Sequence, residues 1–321
     1  MALAFVTLAG CDETTGPTEC PVKEFYIVGD YQYSNGSPTF ILNTAETSKE
    51  VRINPSDFTL VHSGNLITLT VKNISVFDGE KNYKIEHDTN VRVQQRIGEN
   101  WIDDKEFDSK RTPLTQIAVA LVLDVSKSLG SDFEKVKSFA AAFVDSIKNN
   151  TSAGTKIGVV VFSTDVKTMP LSTDAATART FISGQQVGDF TALYKAMQAG
   201  IQMLNTPSVA SSARSMLTFS DGADNYSGSV TRDMIEQAIS TSRVRSFTVG
   251  LRGKGNLDEE GLRKLASSAS YEFADSPDDI GAIFTKFAKS ITEVYDLAWI
   301  RNDQPVSTTK IRFVIKSREK C

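Results

Sequence analysis

The stretch IAVALVLDVSKS, from Ile117 to Ser128, decides the fold. It is apolar at every position from Ile117 to Leu123, then turns polar at Asp124, Ser126 and Ser128. An amphipathic helix repeats its apolar residues every three or four positions, and a half-buried strand every second one. A strand covered on both faces, as in a parallel sheet between two layers of helices, reads instead as an unbroken apolar run.

The chain that follows has the matching texture. Ser131-Asp132-Phe133-Glu134 has the form of a capping box and predicts a helix to about Asn149, with Phe133, Val136, Phe139, Ala140, Phe143, Val144 and Ile147 along one face. Lys156–Phe162 reads as a second buried strand, and Val166–Met169 as a short antiparallel edge strand. Further strands are expected at Met216–Ser220, Ser246–Val249 and Tyr271–Ala274. Helical periods fall at Asp174–Ser183, Ala192–Leu204, Thr231–Ser242 and Asp258–Ser268, and Ser276-Pro277 is expected to open a last helix to about Val294. Strands alternating with helices predict an α/β domain over residues 114–294, with a doubly wound, mostly parallel sheet flanked by helices.

Residues 21–113 read differently. Short β-branched or alternating segments, such as Phe25–Val28 and Leu66–Val71, are broken by turns at Ser34-Asn35-Gly36-Ser37 and Ser63-Gly64-Asn65. After residue 294 the chain returns to β character at Tyr295–Trp299 and Lys310–Lys316. These last strands are expected to complete a β-sandwich-like domain of residues 21–113 and 295–321, so that the α/β domain is inserted in it or attached to it.

In open α/β sheets, ligands bind beyond the carboxyl ends of the strands, where strand order reverses. The sequence places Asp124, Ser126 and Ser128 at one such end, Asp221-Gly222 at another, and Thr191 in the loop before the Ala192–Leu204 helix. Carboxylates and hydroxyls without nitrogen or sulfur make a hard-oxygen set, suited to Mg²⁺, Mn²⁺ or Ca²⁺. Taken singly, Ser126, Ser128 and Thr191 read as ordinary caps and Asp221-Gly222 as a turn. Taken together, Asp124-x-Ser126-x-Ser128 with the later Thr191 and Asp221-Gly222 resembles the metal-ion-dependent adhesion site of von Willebrand factor type A domains, along roughly Leu114–Val294. That resemblance implies a Rossmann-like fold. It also implies an ion bound by Ser126, Ser128 and Thr191, directly or through water, with Asp124 and Asp221 orienting hydroxyls and waters. The implied partner is a protein that supplies a carboxylate to the ion's open position. Lys127, Asp189, Asp224 and Asn225 read as solvated surface or loop residues beside the site.

Enzymatic readings fare worse. A haloacid-dehalogenase-like phosphoryl transfer needs a second carboxylate two residues after the strand-end aspartate, and that position is Ser126. No GxSxG, GxxxxGK[ST] or GxGxxG motif occurs. The resemblance leaves two further non-enzymatic roles open, a structural envelope scaffold without metal-dependent binding and a subunit of a chelatase-like assembly.

At the other end, MALAFVTLAGC reads as the apolar part and cleavage site of an export signal, and Leu8-Ala9-Gly10-Cys11 resembles the bacterial lipobox, although no Lys or Arg precedes it. The resemblance implies lipidation at Cys11 and a place in the bacterial envelope; the alternative is an apolar tail or a first strand. Export leaves Cys20 and Cys321 as either a disulfide or two free thiols. A bridge would close a loop of about 300 residues, worth about 5 kcal/mol in chain entropy.

Composition closes other routes. The 321 residues carry 35 Lys and Arg against 39 Asp and Glu, a net charge of −4, with no basic block for a phosphate backbone. Two histidines, His62 and His87, cannot build a three-His zinc site, and three cysteines without a CxxC exclude thiol redox and zinc-ribbon chemistry. No apolar run reaches the length of a membrane-spanning helix.

Overall fold

The computed structural model describes residues 22–318, except 35–36, 54–57, 64–65, 78–81, 84–90, 105–107, 114–115, 152–153, 210–211, 243, 253–255, 268–269, 293–294 and 302–307. Cys11, Cys20, Cys321 and His87 lie outside the described residues.

The Ile117 run is strand β10 (Ile117–Asp124), and all eight of its residues are buried. It is central to a six-stranded sheet of order β12-β11-β10-β13-β14-β15, formed with β11 (Lys156–Phe162), β12 (Val166–Ser172), β13 (Ala213–Ser220), β14 (Val244–Leu251) and β15 (Tyr271–Ala274). Neighbours pair in parallel except the edge strand β12, which is antiparallel to β11. From β10 the chain first builds outward to β12, then crosses back and builds the other way through β13. Strand order therefore reverses between β10 and β13.

Helices cover both faces. Ile117, Val119, Leu121 and Leu123 pack in one core with α1 (Phe133–Asn149), α2 (Ala175–Ser183) and α6 (Asp279–Thr292). The alternate residues Ala118, Ala120 and Val122 face α3 (Leu193–Leu204), α4 (Arg232–Thr241) and α5 (Glu259–Lys264). Gly200 lets α3 lie close: a Cβ there would stand 2.9 Å from Met216 Sδ and 3.0 Å from Val122 Cγ2. This seats the start of α3, just after Thr191, over the switch point.

Strands β12 and β13 are each three residues longer than expected, and three helix boundaries differ for a visible reason. Ser131 does not cap a helix. Lys127–Asp132 forms a 3₁₀ segment turned by Gly130 at φ 51°, and α1 opens at Phe133 without a side-chain cap. Glu134 pairs with Lys137 at 2.7 Å. Helix α5 stops at Lys264, because Ser267 leaves the helix to exchange hydrogen bonds with Ser246. Ser276-Pro277 forms a turn rather than the first helical residues, and α6 starts at Asp279, whose carboxylate accepts the Ser276 N–H at 2.9 Å.

The remaining strands form two sheets. One has the order β2-β1-β17-β7-β8, from β1 (Val22–Ser34), β2 (Ser37–Leu42), β7 (Val91–Ile97), β8 (Asn100–Asp103) and β17 (Thr308–Arg318). The other has the order β3-β5-β16-β9, from β3 (Val51–Arg52), β5 (Leu66–Phe77), β9 (Asp108–Pro113) and β16 (Tyr295–Arg301), with β4 (Phe58–Ser63) and β6 (Asn82–Tyr83) also on β5. Alternating side chains of both sheets share one core. Ile27, Tyr31, Val93, Ile311, Phe313 and Ile315 meet Ile67, Leu69, Val71, Leu297 and Trp299, and the Tyr31 and Trp299 rings touch edge to face at 5.9 Å. The strands that follow α6 are hydrogen-bonded to strands that precede β10: β16 to β5 and β9, β17 to β1 and β7.

Candidate metal centre

Asp124 ends β10 and Asp221 follows the end of β13, so both carboxylates stand at the carboxyl ends of the two strands flanking the reversal, and both are completely buried. Asp124 Oδ1 accepts the Ser126 N–H at 2.8 Å, and its Oδ2 accepts the Ser220 hydroxyl at 2.7 Å. Ser128 Oγ donates to Asp221 Oδ1 at 2.8 Å and Ser126 Oγ to the same oxygen at 3.3 Å, while the two hydroxyls lie 2.8 Å apart. Burial, and then the negative charge of Asp221, push the Asp124 carboxyl up to about 7, against the opposing hydrogen bonds from Ser126 and Ser220.

The loop that brings Thr191 is tied to the one after β10. Gly188 N donates to Val125 O at 2.9 Å and Lys127 N to Gly188 O at 2.8 Å. Gly188 is required by close approach, since a Cβ would lie 2.1 Å from Ser163 Oγ. Thr191 is nearly buried, and its side chain faces Gly222, with Oγ1 3.7 Å from where a Gly222 Cβ would stand. Its backbone is clamped from the β13 side, where Asn225 Oδ1 accepts Thr191 N–H at 2.8 Å and Asn225 N donates to Thr191 O at 2.9 Å.

The structure thus brings Asp124, Ser126, Ser128 and Asp221 into one hydrogen-bonded network. Thr191 stands opposite, held by its loop. Ser126, Ser128 and Thr191 line a cleft of about 410 Å³ together with Lys127, Asp189 and Asn225. Lys127 and Asp189 pair at its lip, at 2.9 Å and well exposed. Asp224 and Asn225 lie in a loop, as expected, and both also serve the site: Asp224 accepts from Tyr194 N and Ser227 Oγ, and Asn225 positions Thr191. Ser220, which sequence reading passed over, holds Asp124; a lone hydroxyl directly before a strand-end aspartate is the signal that could have marked it.

The donor set fits a hard divalent cation. Two anionic groups are held together inside the protein beside hydroxyls that reach a cleft, and a cation would offset the charge that raises Asp124. Among the described residues no group of three or more His, Cys, Asp or Glu side chains converges, so any ion here depends on the hydroxyls.

The fold and this cluster define an α/β domain with an oxygen-only cluster at its topological switch point. The model of the von Willebrand factor type A domain matches residues 118–288, just over half of the chain, and the chain belongs to that family. Solved structures are similar to the chain at low identity. A pilus adhesin, SpaC from Lactobacillus rhamnosus GG, is 12% identical with a TM-score of 0.50, over 90% of this chain and 44% of that one. A von Willebrand factor type A protein from Catenulispora acidiphila is 10% identical, with a TM-score of 0.48, over 96% and 67%. Proximal thread matrix protein 1 of the mussel byssus, in a structure with zinc in its metal-ion-dependent adhesion motif, is 18% identical with a TM-score of 0.45, over 57% of this chain. The match spans 48% of that mussel protein's length. Comparison with curated proteins gave no match.

Proposed function

We propose that the chain is an exported binding protein whose cleft holds a divalent cation, Mg²⁺ or alternatively Mn²⁺ or Ca²⁺, through Asp124, Ser126, Ser128, Thr191 and Asp221, and uses it to take up an acidic group of a protein partner. The observation that carries the reading is the buried Asp124–Asp221 pair, bridged by Ser126, with Ser128 bonded to Asp221, at a cleft that both serines line. The cation would supply a Lewis-acidic position for the partner's carboxylate. The chain's own part is to hold the hydroxyls at the cleft and keep both carboxylates out of water. Neutral hydroxyls as ligands leave the ion a net positive charge, which favours an anionic partner over further protein ligands. Binding, not catalysis, is the role proposed.

The organisation we propose has a lipoprotein-type signal and tether in residues 1–20, a β-sandwich-like domain of 21–113 with 295–321, and a type A domain of 114–294. Leu8-Ala9-Gly10-Cys11 supports lipid anchoring at Cys11 in the bacterial envelope, and a Cys20–Cys321 disulfide would close the chain ends. Calorimetric titration with Mg²⁺ and Mn²⁺ tests the site. The wild type is expected to bind, and Ser126→Ala and Asp124→Ala to lose binding while keeping the native circular dichroism. Equal heats from wild type and both variants would reject the cation site and leave a scaffold role.

A further inference from the structure

Two aromatic rings stand exposed on residues that adjoin, along the chain, Thr191 and Asn225 of this cleft. Phe190 is 45% exposed and Tyr226 43%, and they stack on one another with centroids 4.8 Å apart and planes 13° from parallel. Aromatic side chains left in water are informative when they cluster. These are the two aromatics among the large apolar side chains that stand exposed in the described residues, and they are packed against each other.

Their position ties them to the site. Phe190 immediately precedes Thr191. Tyr226 immediately follows Asn225, the residue whose carboxamide clamps Thr191, and Tyr226 N itself donates to Thr191 O at 3.2 Å. The backbones under both rings are thus fixed by the hydrogen bonds that fix the cleft. Lys195 flanks the Tyr226 ring at 5.7 Å and donates to the Tyr226 carbonyl. Val187, half exposed, adds aliphatic surface in the same loop as Phe190. A rigid, apolar, aromatic patch beside a charged pocket is the anatomy of a binding hot spot.

We propose that the stacked Phe190–Tyr226 pair is a second recognition element, which selects protein segments carrying an aromatic or large aliphatic side chain next to the acidic residue. This rests on the reading of the cleft as a cation-dependent site. A peptide loop is the occupant favoured over a sugar. Stacking covers the inner face of each ring and Lys195 lies at the Tyr226 ring, so the pair offers a pyranose no slot between two ring faces, while its edges, the outer Phe190 face and Val187 give apolar surface for side-chain packing.

The test uses two cyclic hexapeptides, identical except that one contains Asp-Phe and the other Asp-Ser, and a hexuronate oligosaccharide. Each is titrated by fluorescence anisotropy into the full chain with Mg²⁺ or with EDTA. In Mg²⁺ the Asp-Phe peptide is expected to bind about tenfold tighter, the equivalent of one buried aromatic contact. The double variant Phe190→Ser/Tyr226→Ser is expected to bind both peptides equally, while its calorimetric Mg²⁺ isotherm stays that of the wild type. Equal, Mg²⁺-dependent affinities in the wild type would overturn the aromatic element alone. A preference that survives EDTA and vanishes in the double variant would overturn the cation reading and keep the aromatic element. Tighter binding of the oligosaccharide than of the Asp-Phe peptide would overturn the choice of occupant, and no binding of any probe would overturn both readings.

Discussion

The two ends of the central sheet each bury a pair of like charges, and they treat them in opposite ways. At the carboxyl ends of the strands, Asp124 and Asp221 meet hydroxyls that lead to an open cleft. At the amino ends, a strand length away (roughly 20 Å at 3.3 Å per residue), Arg52 and Arg245 are each only 7% exposed. Arg52 belongs to β3 and Arg245 to β14, so this second pair joins the β-sheet part to the α/β part. Arg52 donates to Ser270 Oγ at 2.6 Å. Arg245 donates to Ser75 Oγ at 2.7 Å and to Arg52 O at 2.8 Å. Burial, and then the charge of Arg245, push the Arg52 guanidinium down to about 9. The difference lies in where the hydrogen bonds go. The guanidinium forks spend theirs on acceptors across the junction and close it. The carboxylates draw hydroxyls that still hold lone pairs toward the cleft, and keep it chemically open.

Arg245→Met is the largest way to break that comparison. It removes two charge-assisted hydrogen bonds that cross the junction and leaves Ser75 and the Arg52 carbonyl buried, and relief of Arg52 offsets part of the loss. A destabilisation of about 2–4 kcal/mol is expected in urea unfolding, with Mg²⁺ affinity unchanged in calorimetry. If the junction variant lost the cation as well, the two ends would be one coupled unit rather than a structural end and a binding end.

Gly188→Ala acts at the other end and is expected to cost about 1–3 kcal/mol, because Ser163 occupies the space the new methyl needs. The loop carrying Thr191 must shift, so Mg²⁺ affinity should fall by about tenfold or more. A variant of full stability and full affinity would show that the loop is not held by that contact.

Much of this was legible in the sequence, for local reasons. The apolar run of β10 and its polar end could be read from a dozen residues, and β13 with Asp221-Gly222 from fewer. That these residues meet followed from the rule about strand ends. The rest was hidden because it depends on distant partners. Arg245 bonds across 193 residues to Arg52, and arginine in a sequence reads as surface charge. Asn225 meets Thr191 across 34 residues. Ser131 looked like a cap because the pattern is local, whereas the preceding turn is committed to presenting Ser126 and Ser128 to Asp221. Phe190 and Tyr226 belong to separate loops, and nothing local marks them as a pair before the fold stacks them.

The smallest effect is a difference in slope with pH, and it tests whether the carboxylate end stores an unfavourable charge as the comparison requires. The Asp124 carboxyl is raised from an ordinary 3.8 to about 7, first by burial and second by Asp221. Between those values the native, metal-free chain holds a proton on Asp124 that the unfolded chain has released, so this group's contribution to stability falls as pH rises from about 4 to 7 and levels off above. Asp221→Asn keeps an oxygen for Ser126 and Ser128 but removes the second cause and leaves the first. Its fall should therefore be shallower, leaving it about 1 kcal/mol more stable than the wild type near pH 8 in EDTA, while Mg²⁺ binding is lost. Glu46, held below the ordinary carboxylate range by the hydrogen bond from Lys310, contributes the opposite slope in both proteins and cancels in their difference. Urea unfolding of wild type and variant across pH 4 to 8 in chelator gives that difference directly. A wild type that gained on the variant as pH rose would mean that Asp221 stabilises the ionised form of Asp124, and the contrast between the two ends of the sheet would fail.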